Sequence, residues 1–156
     1  MKILLCIIAL VLTTNTFAQP AGSLDPTFGT AGKVLVSINS GEAKAHSIAL
    51  QSDGKIIAVG HSTSPLTGKD FTIVRLLSDG TLDNTFGTNG IVTTDVQLGS
   101  EDYAYSVALQ ADGKIILAGS SDDGVNRNAA LVRYNSDGTI DSAFGVNGIV
   151  LTDFEN

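Results

Sequence analysis

From Lys33 onward the chain breaks into short runs rich in Val, Ile, Leu and aromatic residues, each bounded by Gly, Asp or Asn. Such runs predict β-strands joined by tight turns. They fall at about Lys33 to Ile38, Ala45 to Gln51, Lys55 to His61 and Asp70 to Leu77. A second series follows at about Ile91 to Gln97, Tyr103 to Gln110, Lys114 to Ser120 and Ala129 to Asn135, with one more run at Ile149 to Phe154. A sheet with one wet face alternates apolar and polar residues. These runs do not: Phe71, Ile73, Arg75 and Leu77 share one face of their strand while Thr72, Val74 and Leu76 share the other. Ile56 to Val59 and Ile115 to Ala118 are unbroken apolar stretches.

The pattern therefore predicts an all-β chain of sheets buried on both sides, as in the stacked four-stranded antiparallel blades of a β-propeller. The turns agree. Ser52-Asp53-Gly54 and Ala111-Asp112-Gly113 each join two apolar runs by three residues, with Gly where a positive φ is needed, the chemistry of a tight hairpin with a glycine bulge. Ser78-Asp79-Gly80 and Ser136-Asp137-Gly138 use the same residues to leave a strand. In Leu24 to Gly29, Asp25 is placed to cap a single helical turn, Pro26 to occupy its first position and Gly29 to end it. This segment reads as the link between one unit and the next.

The whole arrangement recurs. GSLDPTFGTAGKV from Gly22, GTLDNTFGTNGIV from Gly80 and GTIDSAFGVNGIV from Gly138 lie 58 residues apart, and each neighbouring pair matches at nine of thirteen positions. ALQSDGKIIAVG from Ala49 and ALQADGKIILAG from Ala108 match at nine of twelve, offset by 59, and the 58-residue spacing is restored by Arg75 and Arg133. A compensated length change of this kind falls in a loop between fixed strands. The predicted organisation is a repeat at 22–79, a second at 80–137 and a partial third at 138–156, all within a domain spanning 19–156.

Residues 1–18 read as a secretion signal. Met1 and Lys2 form a short positive end, Ile3 to Leu12 is an apolar run too short to span a bilayer, and Thr16 and Ala18 supply the small residues before a cleavage site between Ala18 and Gln19. Cys6, the single cysteine, lies inside the apolar run, away from the position of an acylated lipoprotein cysteine. With residues 1–18 removed the exported chain has no thiol, so disulfides, a Cys nucleophile and thiolate metal sites are excluded.

The motifs LDPTFGTAGKV, ALQSDGKIIAVG and FTIVRLLSDG, with their second copies, resemble the delta-60 repeats, units of about sixty residues in bacterial secreted proteins classed as a β-propeller domain of unknown function. The resemblance covers nearly all of Gly22 to Val150, and blocks, order and spacing agree. It implies the fold and secretion, and it brings no catalytic residue or ligand. Members of that family usually carry many repeats, whereas this chain has two and a fraction.

Charge narrows the partners. Nine basic residues stand against sixteen acidic ones, a net charge of −7, with no Lys/Arg cluster to bind phosphate; nucleic acid and insertion into a membrane are not expected. Thirteen of the acids are Asp, which favours turns and caps. His46 and His61 are the only histidines, and the second unit has Tyr105 and Ser120 in their places, so a catalytic role repeated in each unit is excluded and a packed or surface role is expected. Arg75 and Arg133 recur inside apolar strands and need partners, for which Asp83 and Asp141 are the candidates.

Ser120 to Asn128 is the most acidic loop, but counted from Asp122 its Gly124 falls third and Arg133 twelfth, which breaks the EF-hand calcium pattern. The Gly-rich GTAG and GTNG segments lack the GxxxxGK[ST] signature of a phosphate loop. No catalytic, cofactor-binding or metal-binding residue is therefore assigned. The expected function is a secreted or cell-surface structural and interaction module for a protein or glycan partner. The rival is a secreted glycan hydrolase with carboxylates gathered at one end of the blades.

A closed propeller takes about four to eight blades. Two blades and one further strand make an incomplete propeller, for which three outcomes are expected: a piece of a longer repeat protein, a ring of several copies, or a collapse in which the sheets cover each other. The position of Asn156, nineteen residues into the third unit, favours the first.

Overall fold

The computed structural model describes residues 20–38 and 41–153. The expected signal segment, Cys6 and the cleavage point lie outside the described residues. Eight strands form two four-stranded sheets, β1 (Ala43–Leu50), β2 (Ile56–Ser64), β3 (Gly68–Leu76) and β4 (Ile91–Thr94) in one, and β5 (Glu101–Leu109), β6 (Ile115–Asp122), β7 (Arg127–Tyr134) and β8 (Ile149–Thr152) in the other. Each is an antiparallel meander in sequence order. The sheets do not close on each other. The architecture is all-β, and no helix occurs among the described residues.

The sheets are out of phase with the sequence repeats. β4 and β8 are the strands that follow the FGTNG and FGVNG links, so each sheet takes three strands from one repeat and its fourth from the next. The run at 149–154 accordingly closes the second sheet instead of opening another. By the same rule the run at 33–38 would be a fourth strand, but no described strand lies beside it. It makes only isolated bridges, between Lys33 and Gly29 and Thr30.

Burial follows from how the sheets stack. Ile57, Val59, Phe71 and Ile73 of the first sheet meet Ala104, Ile115, Leu117, Ala130, Val132 and Tyr134 of the second in one core, joined by Phe86 of the link. The residues face opposite ways in the two sheets: by repeat spacing Ile57 corresponds to Ile116 and Ile73 to Leu131, and both counterparts lie on the far side of the second sheet. The outer face of the first sheet, with Val74 and Leu76, is covered by Val34, Val36 and Ile38 of the unpaired run, whose alternate residue Leu35 is 95% exposed. The expectation of sheets buried on both sides thus holds for the first sheet. It fails for the second, where nothing described covers Leu131.

Each link is the single capped turn that its sequence predicts, closed by one i→i+3 bond, from the amides of Phe28, Phe86 and Phe144 to the carbonyls of Asp25, Asp83 and Asp141, and it does not extend into a helix. Asp25 Oδ1 accepts the amide and hydroxyl of Thr27, Asp83 Oδ1 does the same for Thr85, and Asp141 Oδ1 accepts the amide of Ala143. An Asp accepting from two residues on is an Asx-turn, which satisfies the backbone without a helix. The first two links also dock on the Ser-Asp-Gly turn of the following unit, Gly29 N–H donating to the Asp79 carbonyl at 2.8 Å and Gly87 N–H to that of Asp137 at 2.9 Å. A Cβ on Gly80 would press on Phe28 and on Gly138 on Phe86, so these turns need Gly for close approach as well as for positive φ.

Candidate functional site: a histidine–tyrosine patch between the sheets

The two edge strands that open the sheets each carry a bulge. Pairing with the neighbour slips between Ala45 and Ser47 in β1 and between Ala104 and Ser106 in β5, leaving His46 and Tyr105 as the extra residues. A bulge leaves one residue outside the ladder and re-aims its side chain. Opposite the bulges stand Gly60 and Gly119, where a Cβ would run into the carbonyl oxygens of Lys44 and Tyr103. Glycine at both places is what lets the strands approach.

Because β5 lies against the first sheet, the bulged residues of successive units meet. His46 Nε2 and His61 Nδ1 are 3.0 Å apart, and their rings stack at 5.1 Å between centroids. His46 meets the edge of Tyr105 at 5.4 Å, His61 meets Tyr103 at 4.9 Å, and the two tyrosines lie nearly parallel, 3° apart in plane and 6.1 Å apart. Four rings thus form a closed cluster, with His61 buried and His46 and Tyr105 exposed.

Charged side chains rim the rings. Lys69 Nζ donates to the Tyr103 hydroxyl at 2.9 Å and pairs with Glu101 at 2.8 Å. Arg127 donates to the Tyr105 hydroxyl at 3.0 Å and to Ser120 Oγ at 3.2 Å, and its guanidinium lies 5.7 Å from the Tyr103 ring centre. The bonds to Glu101 and then Tyr103 raise the Lys69 ammonium above the ordinary lysine range, so it stays charged. Burial, and after it the positive charge that His46 carries when protonated, holds the His61 imidazole below its ordinary value. His61 is therefore neutral at pH 7, and its Nε2 is buried with no hydrogen-bond partner.

Chemically the patch can stack, donate and accept hydrogen bonds. Among the described residues the side-chain hydrogen bond of each imidazole is to the other imidazole, not to a Ser or Cys hydroxyl or thiol. The histidine pair offers two nitrogens at a spacing one metal ion could span, one ligand fewer than a three-ligand catalytic zinc site uses. A single group of three or more potential ligands exists among the described residues, the carboxylates of Asp70, Asp95 and Asp102.

The other residues singled out in the sequence have structural surroundings. Arg75 Nε donates to Asp83 Oδ2 at 2.9 Å with both side chains buried, and Arg133 Nε to Asp141 Oδ2 at 2.8 Å. The two oxygens of each Asp divide the work, Oδ1 holding the link turn and Oδ2 the arginine. Arg75 also donates to the Ser136 carbonyl at 2.6 Å and stacks 4.3 Å from the centre of Phe86. In the loop at 120–128, Asp122 Oδ1 accepts the Gly124 amide and Asp123 Oδ1 accepts those of Val125 and Asn126, so these carboxylates brace their own hairpin.

The sequence had placed the histidines apart and treated Tyr105 as a substitute for His46. The repeat offset held the missing signal: residues equivalent in successive units come together when the units stack. Residues 51–86 and 110–144 match a family described as a domain of unknown function (DUF5122) beta-propeller. No curated protein matches the chain. The two matched stretches occupy equivalent places in successive repeats and run through both stacked sheets, which supports a β-propeller repeat family of unknown function.

Proposed function

We propose that the chain is an exported interaction module of the bacterial delta-60 repeat type, and that the histidine–tyrosine patch binds a glycan. The signal-like sequence of residues 1–18 supports export. The observation that carries the binding reading is the four-ring cluster, with Tyr105 and His46 exposed and Arg127, Lys69 and Glu101 at its rim. Tyrosine combines an apolar ring with a polar tip, which suits the alternating CH and hydroxyl surfaces of a sugar. A protein surface rich in polar side chains is the other partner that such a rim accommodates.

Binding is favoured over hydrolysis because a glycosidase of the usual kind needs two carboxyl groups flanking the bond to be cut. Among the described residues Glu101 is the one carboxylate that bonds to the patch residues. A glycan array probed with the purified protein and with Tyr105→Ala tests the reading. Retention on defined glycans, reduced at least tenfold by Tyr105→Ala, is the expected result. Turnover on a panel of glycan substrates without stable binding would replace it with the hydrolase reading.

A further inference from the structure

Where the chain crosses from the first sheet to the second, three aspartates converge. Asp70 lies near the start of β3, Asp95 directly follows β4, and Asp102 is the second residue of β5. One carboxylate oxygen from each lies within 4.8 Å of the others. Asp70 and Asp102 are buried, 5% and 0% exposed.

Their polar bonding is incomplete in one direction. Asp102 is satisfied by the Val96 amide at 2.6 Å and the Ser100 hydroxyl. Asp70 Oδ2 takes the Thr67 hydroxyl at 2.8 Å, but its Oδ1 is buried without a partner, and so is Asp95 Oδ1. None of the three joins a salt bridge among the described residues. Burial first, and then Asp95 and Asp102, push the Asp70 carboxyl up; burial and Asp95 do the same to Asp102. Buried carboxylates left this way need either protons or a cation.

We propose that Asp70, Asp95 and Asp102 form a calcium site that clips the crossing between the two sheets. Oxygen-only donors select a hard cation and disfavour zinc or copper. Calcium sits about 2.3–2.6 Å from its oxygens, so ligands on opposite sides stand about 5 Å apart. Carboxylate oxygens gathered within 4.8 Å can therefore share one ion. The ion would tie β3, the exit of β4 and the start of β5 to one point, holding the sheets together at the end where the repeats differ most. The second unit has Asn128 in place of Asp70, so one site per chain is expected.

The test is calorimetric titration of the EDTA-treated purified chain with CaCl2, beside thermal melts. The expected result is one calcium per chain and a melting temperature about 5–10 °C higher at calcium a hundredfold above Kd. Asp95→Asn and Asp70→Asn should each weaken binding at least tenfold, with Asp95→Asn the gentler change because that residue is only half-buried. Asp123→Asn, in the acidic hairpin, should leave binding unchanged. The site is overturned if calcium gives no saturable heat, if folded Asp95→Asn binds as tightly as the wild type, or if Asp123→Asn alone abolishes binding. If Asp95→Asn is instead more stable than the wild type without calcium and the wild type ignores the ion, the cluster is held by shared protons and the proposal fails.

Discussion

The two sheets are built from nearly the same words and live in different surroundings. Ile73 in the first and Leu131 in the second occupy equivalent strand positions, yet Ile73 is fully buried and Leu131 is 38% exposed. Around them Val59 and Phe71 of the first sheet correspond to Ala118 and Ala129 of the second. At these two positions the face that meets a neighbour carries the larger side chains, while Ile57 and Ile73 keep large counterparts in Ile116 and Leu131 on the uncovered face. The arginines repeat the contrast: Arg75 is capped by the Ser136 carbonyl of the following unit, whereas Arg133 keeps its ion pair but is partly open. Burial in a stacked repeat is thus set by the next unit along, while the local hydrogen bonds are set by the unit itself.

The sharpest way to break this contrast is to truncate both members of an equivalent pair. Ile73→Ala should destabilise by about 3–5 kcal/mol through the cavity it leaves, and Leu131→Ala by about 1 kcal/mol or less. Urea unfolding of the two variants measures both, and equal losses would refute the stacking account.

A smaller gap is expected at the arginines. Arg75→Met leaves the buried Asp83 with Lys55 at 3.9 Å as its one cation, a loss of about 3 kcal/mol, whereas Arg133→Met leaves Asp141 with Lys114 at 3.0 Å, a loss of about 1 kcal/mol. Unchanged melting temperatures would exclude a stabilising role for either pair. Thr85, with Arg75 and Lys55 behind it, holds the Asp83 carboxyl below its ordinary value. That stabilisation is complete above about pH 4 and is lost as pH falls through the folded value. Arg75→Met should flatten part of the acid limb.

At mild acidity the histidines separate the units. The His61 imidazole is held low, so folding expels its proton; its contribution is complete above about pH 6.5 and declines as pH falls toward the folded value. His61→Ser, which installs the residue of the second unit, should reduce the fall in melting temperature between pH 7 and 5.5. In EDTA-treated protein Asp70 and Asp102 act in the opposite sense, since carboxyls pushed up favour the folded state as pH drops. They are common to wild type and variant, so the difference between the two curves reports His61.

The smallest effect concerns the turns after the links. Asn89 and Asn147 have φ of 52° and 53°, and Ala31 has the same φ without a side chain suited to it. Ala31→Asn should stabilise by about 1 kcal/mol, visible as a modest rise in melting temperature.

Most of this architecture was legible because turns and periodicity are local. The Ser-Asp-Gly hairpins, the Arg75–Asp83 and Arg133–Asp141 pairs and the four-stranded units follow from residues close in sequence, and repetition doubled each signal. The grouping of strands was not legible, since hydrogen bonding passes over the boundary that a repeat search draws at Gly80. The His46–Tyr105 contact and the Asp70–Asp95–Asp102 cluster were missed for a related reason. His46 and Tyr105 differ from one another, Asp70 and Asp102 stand where the other unit has Asn128 and Ala43, and of the five only Asp95 recurs, as Asp153; a repeat pattern carries no signal at positions that differ. Asp25 followed by Pro26 points to one capped turn, and the chain makes one: Phe28 N–H donates to the Asp25 carbonyl at 3.2 Å, and the positive φ of Gly29 stops it there.

The offset between sheets and repeats also bears on how such chains lengthen. Because every unit contributes the last strand of its predecessor, an added unit is joined to the old one by backbone hydrogen bonds, as β4 is to β3 and β8 to β7. A unit whose sheet ended at its own boundary would be held there by side-chain packing alone.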